Sequence, residues 1–169
     1  MPERIQGSVR KLLNFVGSYR HVVDAQGRIQ LPKPIRRTLA GDGQKVLIVT
    51  RGLDGCLTAY TLREWRQLHE RWQRAVSEPE ARSERQSIRL ITSQAAESAI
   101  DAQGRISVPS DLLKSVSIES EVLVVGALDR VELWNPLAFE SAMSEVEGDF
   151  YQNGDGFVLA SELYGELDD

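Results

Sequence analysis

The sequence predicts an α+β protein built from two copies of one β-rich unit. The six residues DAQGRI stand at 24–29 and again, letter for letter, at 101–106. The flanks also align without gaps, so that 24–39 lies over 101–116 and Pro32 matches Pro109. A verbatim repeat inside matching flanks indicates a duplicated supersecondary unit. Segments with helical periodicity lie between the copies and after the second one, which adds the α component.

Each unit is predicted to contain two hairpins joined by a helical turn. In the repeated motif the aspartate caps its own backbone and the glycine supplies a positive φ, which is turn chemistry. The chain then returns in period-two alternation until the proline ends the strand. The predicted elements are strands 19–24 and 28–31, helical turn 34–39 and strands 45–50 and 56–60, then strands 97–101 and 105–108, helical turn 111–116 and strands 121–126 and 131–135.

Such a half cannot bury its own faces or protect its own strand edges. Two halves of one chain can do so by closing a small β-barrel, which leaves no exposed edge. We therefore expect a small barrel with the helices on its periphery.

Three helices are predicted from capping signals. Thr61 and Glu64 form a capping box at the start of 61–76, and Ser77 and Glu80 repeat that pattern ahead of a second linking helix. Asn135 precedes Pro136 at the start of the third helix. The resulting division is an N-terminal extension 1–14, a first repeat 15–60, linking helices 61–94, a second repeat with its helix 95–147, and an acidic flexible tail 148–169.

Charge is distributed unevenly along the chain. The formal net charge is −5, yet residues 1–93 hold 17 Lys and Arg against 9 Asp and Glu, while residues 94–169 hold 3 against 16. This asymmetry favours a basic binding surface in the first half and an acidic body in the second. Scattered solvated faces would give the same counts, so the charges alone leave both interpretations open.

Several classes of protein are disfavoured by the sequence. One cysteine allows neither an internal disulfide nor a multi-cysteine metal site, and the sequence calls for no cofactor. Because no long apolar segment or signal-peptide core is present, we expect a soluble cytoplasmic protein without a membrane partner. Phosphate-binding, nucleophile-elbow and zinc-protease motifs are also absent, so we do not expect an enzyme.

Arg28 and Arg105, which end the two turns, are the leading candidates for a binding role. A guanidinium can donate to two acceptors on a phosphate or a guanine edge. The alternative is a local ion pair with Asp24 or Asp101 that merely holds the hairpin, which is worth about 0–1 kcal/mol when exposed. The basic residues that surround the first turn in the sequence are further candidates for the same contacts with a phosphate or a guanine edge, namely Arg20, Lys33, Arg36 and Arg37. Gly27 and Gly104 are expected to be structural, like the two aspartates.

The segment FVGSYRHVVDAQGRIQLPKPIRRTL resembles the opening of the MraZ family of bacterial transcriptional regulators. TRGLDGCLTAYTLREW, DAQGRISVPSDLL and VLVVGALDRVELWNPLAF resemble its later blocks. The resemblance implies tandem AbrB-like units with swapped hairpins, assembled into a homo-oligomeric ring. It also implies binding to double-stranded DNA at short direct repeats in the promoter of the division and cell wall gene cluster. A nucleoid-associated repressor of that cluster is the function it suggests.

By position, the aspartate and arginine of the family signature correspond to Asp24 with Arg28 and to Asp101 with Arg105. The second copy has Leu113 where the family commonly has arginine, which leaves Lys114 as the nearest cation in sequence. Pro34 also replaces a typically basic position. These departures lead us to expect that the first copy contributes more to DNA binding than the second.

An antitoxin-like protein-binding module is the alternative from another class. AbrB-like units also occur in antitoxins, whose acidic tails wrap around a toxin, and residues 148–169 are acidic. Antitoxins usually carry one hairpin unit and dimerise, whereas this chain carries both units in one polypeptide. The fused pair therefore favours the transcriptional regulator.

Overall fold

The computed structural model of the chain describes residues 14–153. The strands are β1 (Ser18–Val22), β2 (Arg28–Gln30), β3 (Val46–Arg51), β4 (Leu57–Thr61), β5 (Ala96–Ala99), β6 (Arg105–Ser107), β7 (Glu121–Ala127) and β8 (Arg130–Trp134). The helices are α1 (Lys33–Gly41), α2 (Leu62–Ala75), α3 (Arg82–Gln94), α4 (Ser110–Ser115) and α5 (Pro136–Gly148), followed by a wider turn over Asp149–Asn153. The mixed α and β composition predicted from the sequence is confirmed.

The two halves exchange their first strands. Six strands form an antiparallel sheet in the order β1-β7-β8-β4-β3-β5, and β2 pairs with β6 in a separate ribbon. β1 of the first half therefore pairs with β7 of the second, while β5 of the second half pairs with β3 of the first. Replacing every strand by its counterpart reverses this order, so the fold has a pseudo-two-fold axis between β4 and β8.

A closed barrel is not confirmed. Within residues 14–153, β1 and β5 are the two open edges of the larger sheet. β2 and β6 pair with each other, and β2 has one isolated bridge besides, from Ile29 to Val23. The reason is that β2 and β6 leave the sheet after their turns and pair with each other, so the strands divide into two layers instead of closing one.

The core lies between the sheet and the ribbon. Ile29 and Ile106, which are paired in the ribbon, are 0% and 1% exposed and pack against the apolar face of the sheet. α1 contributes Ile35 and Leu39, and α4 contributes Leu112 and further apolar residues. Burial of one ribbon face leaves the other face toward solvent, because neighbouring side chains of a strand point in opposite directions.

Two of the predicted helix starts are confirmed. Thr61 Oγ1 accepts a hydrogen bond of 3.2 Å from the backbone N–H of Glu64, as a capping box requires. Asn135 Oδ1 accepts from the backbone N–H of Leu137 and Ala138 at 2.9 and 3.1 Å, and α5 begins at Pro136.

The predicted start at Ser77 is wrong, because α3 begins at Arg82 with no side-chain cap. Ser77 Oγ donates to the carbonyl of Arg74 instead. Arg85 Nη1 and Nη2 donate to the carbonyls of Glu78 and Pro79, each at 3.0 Å, which holds the preceding segment in a turn. The N-terminal extension, up to residue 13, and the acidic tail, from residue 154, lie outside the described residues.

Candidate nucleic-acid interface

The first turn is organised by the carboxylate of Asp24. Its Oδ1 accepts hydrogen bonds from the backbone N–H groups of Gln26 and Arg28, both at 2.9 Å. Its Oδ2 accepts from Nε of Arg28 at 2.6 Å. Gly27 has φ +75°, the left-handed conformation that the sequence predicts for it. The arginine that ends the turn is thus oriented by the aspartate that begins it.

The second turn repeats this arrangement. Asp101 Oδ1 accepts from the backbone N–H groups of Gln103 and Arg105 at 3.0 and 2.8 Å, and Oδ2 accepts from Nε of Arg105 at 2.8 Å. Gly104 has φ +77°. Identical sequences give identical turns, because every interaction within the turn is local.

Hydrogen bonds hold both carboxylates in their ionised form. The backbone N–H of Arg28 is the main reason that the pKa of Asp24 lies below its usual value, with the guanidinium adding to it and partial burial opposing it. The backbone N–H of Arg105 lowers the pKa of Asp101 in the same way. Both turns therefore carry a charged aspartate at neutral pH, which fixes the arginine beside it.

The ion pairs leave the ends of both guanidinium groups near solvent. The side chains of Arg28 and Arg105 are 34% and 30% exposed. The guanidinium of Arg28 bonds to Asp24 through Nε, whereas that of Arg105 also donates weakly through Nη2 to Oε1 of Gln103 at 3.4 Å. The structural and binding interpretations are therefore compatible, since the ion pair that stabilises the turn also orients the outer nitrogens.

Both arginines lie on one face of the ribbon. β2 and β6 are antiparallel, with Arg28 opposite Ser107 and Gln30 opposite Arg105. Directly opposed residues share a face, so these four side chains project away from the buried Ile29 side. Arg28 and Arg105 are diagonal neighbours across the ribbon, a separation of about 7–8 Å between backbone positions. Both guanidinium groups thus lie on the solvent-facing surface, each bonded to the aspartate of its own turn at opposite ends of the ribbon.

The helix that follows each turn in the sequence does not pack on that turn. The backbone N–H of Leu31 donates to the carbonyl of Gly104 at 3.0 Å, and that of Val108 donates to the carbonyl of Gly27 at 2.9 Å. Arg36, on α1, lies across Gly104, where a Cβ would be 3.1 Å from its Nε and Nη1. Arg36 Nε also donates to the carbonyl of Leu31 at 3.0 Å. The structure therefore brings Arg36 to the second turn and not to the first.

The other predicted residues are less closely tied to the turns. Lys33 and Arg37 are exposed on α1. Arg20 lies on β1, where Nη1 is 3.6 Å from Oε2 of Glu121 on β7, so an acidic neighbour offsets part of its charge. The pKa of His21 is lowered by partial burial and then by Arg36.

Gln30 connects the two turns of the candidate interface and was not predicted from the sequence. Its Nε2 donates to the carbonyl of Gln103 at 2.8 Å and to that of Gly104 at 3.3 Å, so it ties the first repeat to the second turn. The signal available in the sequence was the difference between Gln30 and its counterpart Ser107, in a stretch where the repeats otherwise agree closely.

The sequence matches a family profile described as "MraZ protein, putative antitoxin-like" over residues 14–86 and 91–154, one segment for each repeat. The chain belongs to the MraZ family. It is 38% identical to the transcriptional regulator MraZ of Ligilactobacillus salivarius over 137 residues, which cover 80% of this chain and 91% of that protein. It is 35% identical to the transcriptional regulator MraZ of Pediococcus pentosaceus over 136 residues, 80% of this chain and 91% of that protein. It is 38% identical to the transcriptional regulator MraZ of Caldicellulosiruptor bescii over 122 residues, 72% and 80% respectively.

Residues 14–153 contain neither a metal-ligand cluster nor a helix suited to a membrane. Among these residues, no three His, Cys, Asp or Glu side chains are grouped as a metal site would require. No helix in the same part of the chain is long and apolar enough to cross a membrane. The name of the MraZ relatives describes a transcriptional regulator, which is not a class of enzyme.

Proposed function

We propose that this chain is a sequence-specific DNA-binding transcriptional regulator. The observation that carries the proposal is the solvent-facing side of the ribbon, on which Arg28 and Arg105 are each oriented by an aspartate. Guanidinium groups held in this way suit phosphate oxygens and guanine edges. Contacts to phosphate would position the protein on the duplex, and contacts to base edges would select the sequence.

The regulator acts as an oligomeric ring on short direct repeats in a promoter. A single ribbon offers few phosphate contacts, so one subunit alone would bind weakly and with strong dependence on salt. Linking several ribbons raises the apparent affinity by about 10²–10⁴ without new contacts in each one. The basic first half and acidic second half support a head-to-tail contact, the type of interface that closes rings.

The target that we propose is the promoter of the division and cell wall gene cluster to which the chain's own gene belongs. The regulator represses this cluster in the cytoplasm, where it is associated with the nucleoid. The support is the MraZ family membership and the naming of its relatives as transcriptional regulators. Repression would follow from occupation of the promoter by the ring.

An electrophoretic mobility shift assay with the DNA upstream of the chain's own gene tests this function. We expect Arg28→Ala to eliminate the shifted band at protein concentrations that saturate the wild type. Light scattering should show the same oligomer for both proteins. Arg71→Ala is the matched control, since it removes one exposed arginine from α2 and should leave binding unchanged. Normal binding by Arg28→Ala, or loss of its oligomer, would contradict the assigned role.

The electrostatic part of the assembly has its own test. Light scattering across a salt series should show the oligomer dissociating as salt rises, because screening weakens contacts between exposed charges. An oligomer that is indifferent to salt would refute the charge-based interface while leaving DNA binding untouched.

The second candidate is an antitoxin-like protein-binding module, which the description of the family profile favours. In that case the acidic segment from residue 148 would bind a partner protein and the ribbon would have no affinity for promoter DNA. Removal of residues 154–169 separates the two candidates. Promoter binding that survives the truncation supports the regulator, and a full chain that binds no DNA supports the module.

A further inference from the structure

We propose that Arg36, which follows the first turn in sequence, acts on DNA together with Arg105 of the second turn. The Arg105 end of the ribbon would then supply more of the phosphate contacts than the Arg28 end. This inference rests on the proposed function and adds to it the pairing of Arg36 with the second turn and an electrostatic polarity of the ribbon.

Arg36 contacts the second turn. Arg36 crosses Gly104, and its Nε is fixed by the carbonyl of Leu31 at 3.0 Å. Leu31 is in turn bound to Gly104 through its backbone N–H. Gly104 immediately precedes Arg105, so the two guanidinium groups flank one glycine. Nε makes the anchoring bond in both arginines. Nη1 of Arg36 lies 3.1 Å from the Cβ position at Gly104, and Nη2 of Arg105 makes only a weak bond of 3.4 Å to Gln103, so we assign the ligand contacts to the Nη atoms.

Among residues 14–153, the atoms nearest to Gly27 at the Arg28 end belong to Val108 and Leu113 and not to a cation. Leu113 is the counterpart of Arg36 in the second repeat, and its Cδ1 lies 3.6 Å from the position of a Cβ on Gly27. It is 6% exposed and belongs to the core. Where the second turn is bordered by an arginine, the first turn is therefore bordered by a buried leucine.

The exposed residues at the starts of α1 and α4 also differ in charge, in the same sense as Arg36 and Leu113. Each helix begins against the turn of the other repeat, as the bonds of Leu31 and Val108 show. α1, which starts two residues after Leu31, begins with exposed Lys33 and carries exposed Arg37 one turn later. α4, which starts two residues after Val108, begins with exposed Ser110 and Asp111 and carries exposed Lys114 near its other end. Sequence order suggests a basic first turn, but the exchange of strands moves the basic helix to the second.

The experiment is a double-mutant cycle on the full-length chain. Binding to the promoter fragment is measured by fluorescence anisotropy across a salt series. Arg36→Ala should weaken binding and reduce the slope of log K against log salt by about 0.9 for each subunit bound, the value of one phosphate contact. The effects of Arg36→Ala and Arg105→Ala should deviate from additivity by more than about twofold, as expected for neighbours. At low salt and raised protein concentration, where the weakened Arg28→Ala variant still binds, the effects of Arg36→Ala and Arg28→Ala should be additive.

Two further variants distinguish charge from structure. Arg36→Lys loses the bond to the Leu31 carbonyl but keeps the cation, so it should retain the salt slope of the wild type. Ser110→Lys copies Lys33 onto the exposed start of α4 and should steepen the slope by about one contact per subunit. Unchanged oligomer size and unfolding temperature confirm that each variant is folded.

Opposite results overturn the inference. It is wrong if Arg36→Ala has the slope of the wild type, if Arg36→Lys behaves as Arg36→Ala does, or if Arg36 couples to Arg28 instead of Arg105. Failure of the proposed function looks different, because the wild-type chain itself would then not bind the promoter fragment.

Discussion

Alanine substitution at Gly27 and at Gly104 should damage two different properties of the molecule, although the two glycines occupy equivalent turns. Both have positive φ, +75° and +77°. An alanine in this conformation costs about 1–2 kcal/mol at either position. The remaining cost depends on what the new methyl group meets, and here the two turns differ.

At Gly27 the methyl group meets backbone. It would lie 2.7 Å from the carbonyl oxygen of Val108, which is 3% exposed and held by its own bond to Gly27. Neither partner can move without shifting the ribbon, so overpacking adds about 1–3 kcal/mol. The total for Gly27→Ala is a loss of about 2–5 kcal/mol in the free energy of unfolding.

At Gly104 the methyl group meets the side chain of Arg36. That side chain is flexible and can swing away, at the cost of its hydrogen bond to Leu31, about 0.5–1.5 kcal/mol. Gly104→Ala should therefore lose about 1.5–3.5 kcal/mol, less than Gly27→Ala in a direct comparison. It should lose more DNA affinity, because the displaced guanidinium is the one assigned to the phosphate contact.

Urea unfolding followed by tryptophan fluorescence measures the first quantity, at fixed protein concentration because assembly contributes to apparent stability. Anisotropy with promoter DNA, at a temperature where both variants are folded, measures the second. Gly27→Ala should be the less stable variant, and Gly104→Ala should have the shallower salt slope. The reasoning is refuted if Gly104→Ala is the less stable of the two, or if its salt slope equals that of the wild type.

Three other predictions follow from single residues. Ile29→Ala should lower the free energy of unfolding by about 2–5 kcal/mol in urea titration, because Ile29 is fully buried where the ribbon meets the sheet, and an unchanged midpoint would contradict this. Carboxyl NMR should give pKa values for Asp24 and Asp101 that lie below the usual aspartate value of 3.8. The stabilisation that these carboxylates provide is therefore present at neutral pH and is lost as the pH falls below that value. Raised pKa values would refute the hydrogen-bonding scheme. Burial raises the pKa of the Cys56 thiol to about 11, so thiol reagents at pH 8 should modify it only after unfolding, and rapid reaction of the native chain would show that it is accessible.

Local features of the fold were predictable because the interactions that create them are local. The turns at Asp24 and Asp101 form within five residues, and their aspartates, glycines and arginines take the positions expected from the sequence. The caps at Thr61 and Asn135 are equally short in range. The start of α3 was predicted wrongly because a side chain further along the chain intervenes. Arg85 donates to the carbonyls of Glu78 and Pro79, which the capping box predicted at Ser77 would have placed inside the helix.

The partners of each turn were not predictable from adjacency in the sequence. The exchange of β1 and β5 was expected only from the resemblance to MraZ proteins, and no pattern of charge or periodicity indicates it. Once the strands exchange, Arg36 lies beside a turn 68 positions further along the chain, at Gly104, and not beside Gly27, nine positions before it. An assignment of the basic cluster to the first turn by sequence distance alone therefore pairs the wrong residues in space.

The identical hexapeptides thus conserve the geometry of the turns while the residues around them make the turns unequal. Gly27 must be glycine because the Val108 carbonyl approaches it, and Gly104 must be glycine because Arg36 crosses it. The requirement at Gly27 comes from packing in the core, and the requirement at Gly104 comes from a charged side chain at the surface. Since each turn is flanked by the helix of the other repeat, a substitution in one helix should change DNA binding at the opposite turn. Exchanging the exposed residues Lys33 and Ser110 between the repeats should for this reason shift salt dependence from the Arg105 end toward the Arg28 end, and alanine substitution of those two arginines in the exchanged protein measures that transfer.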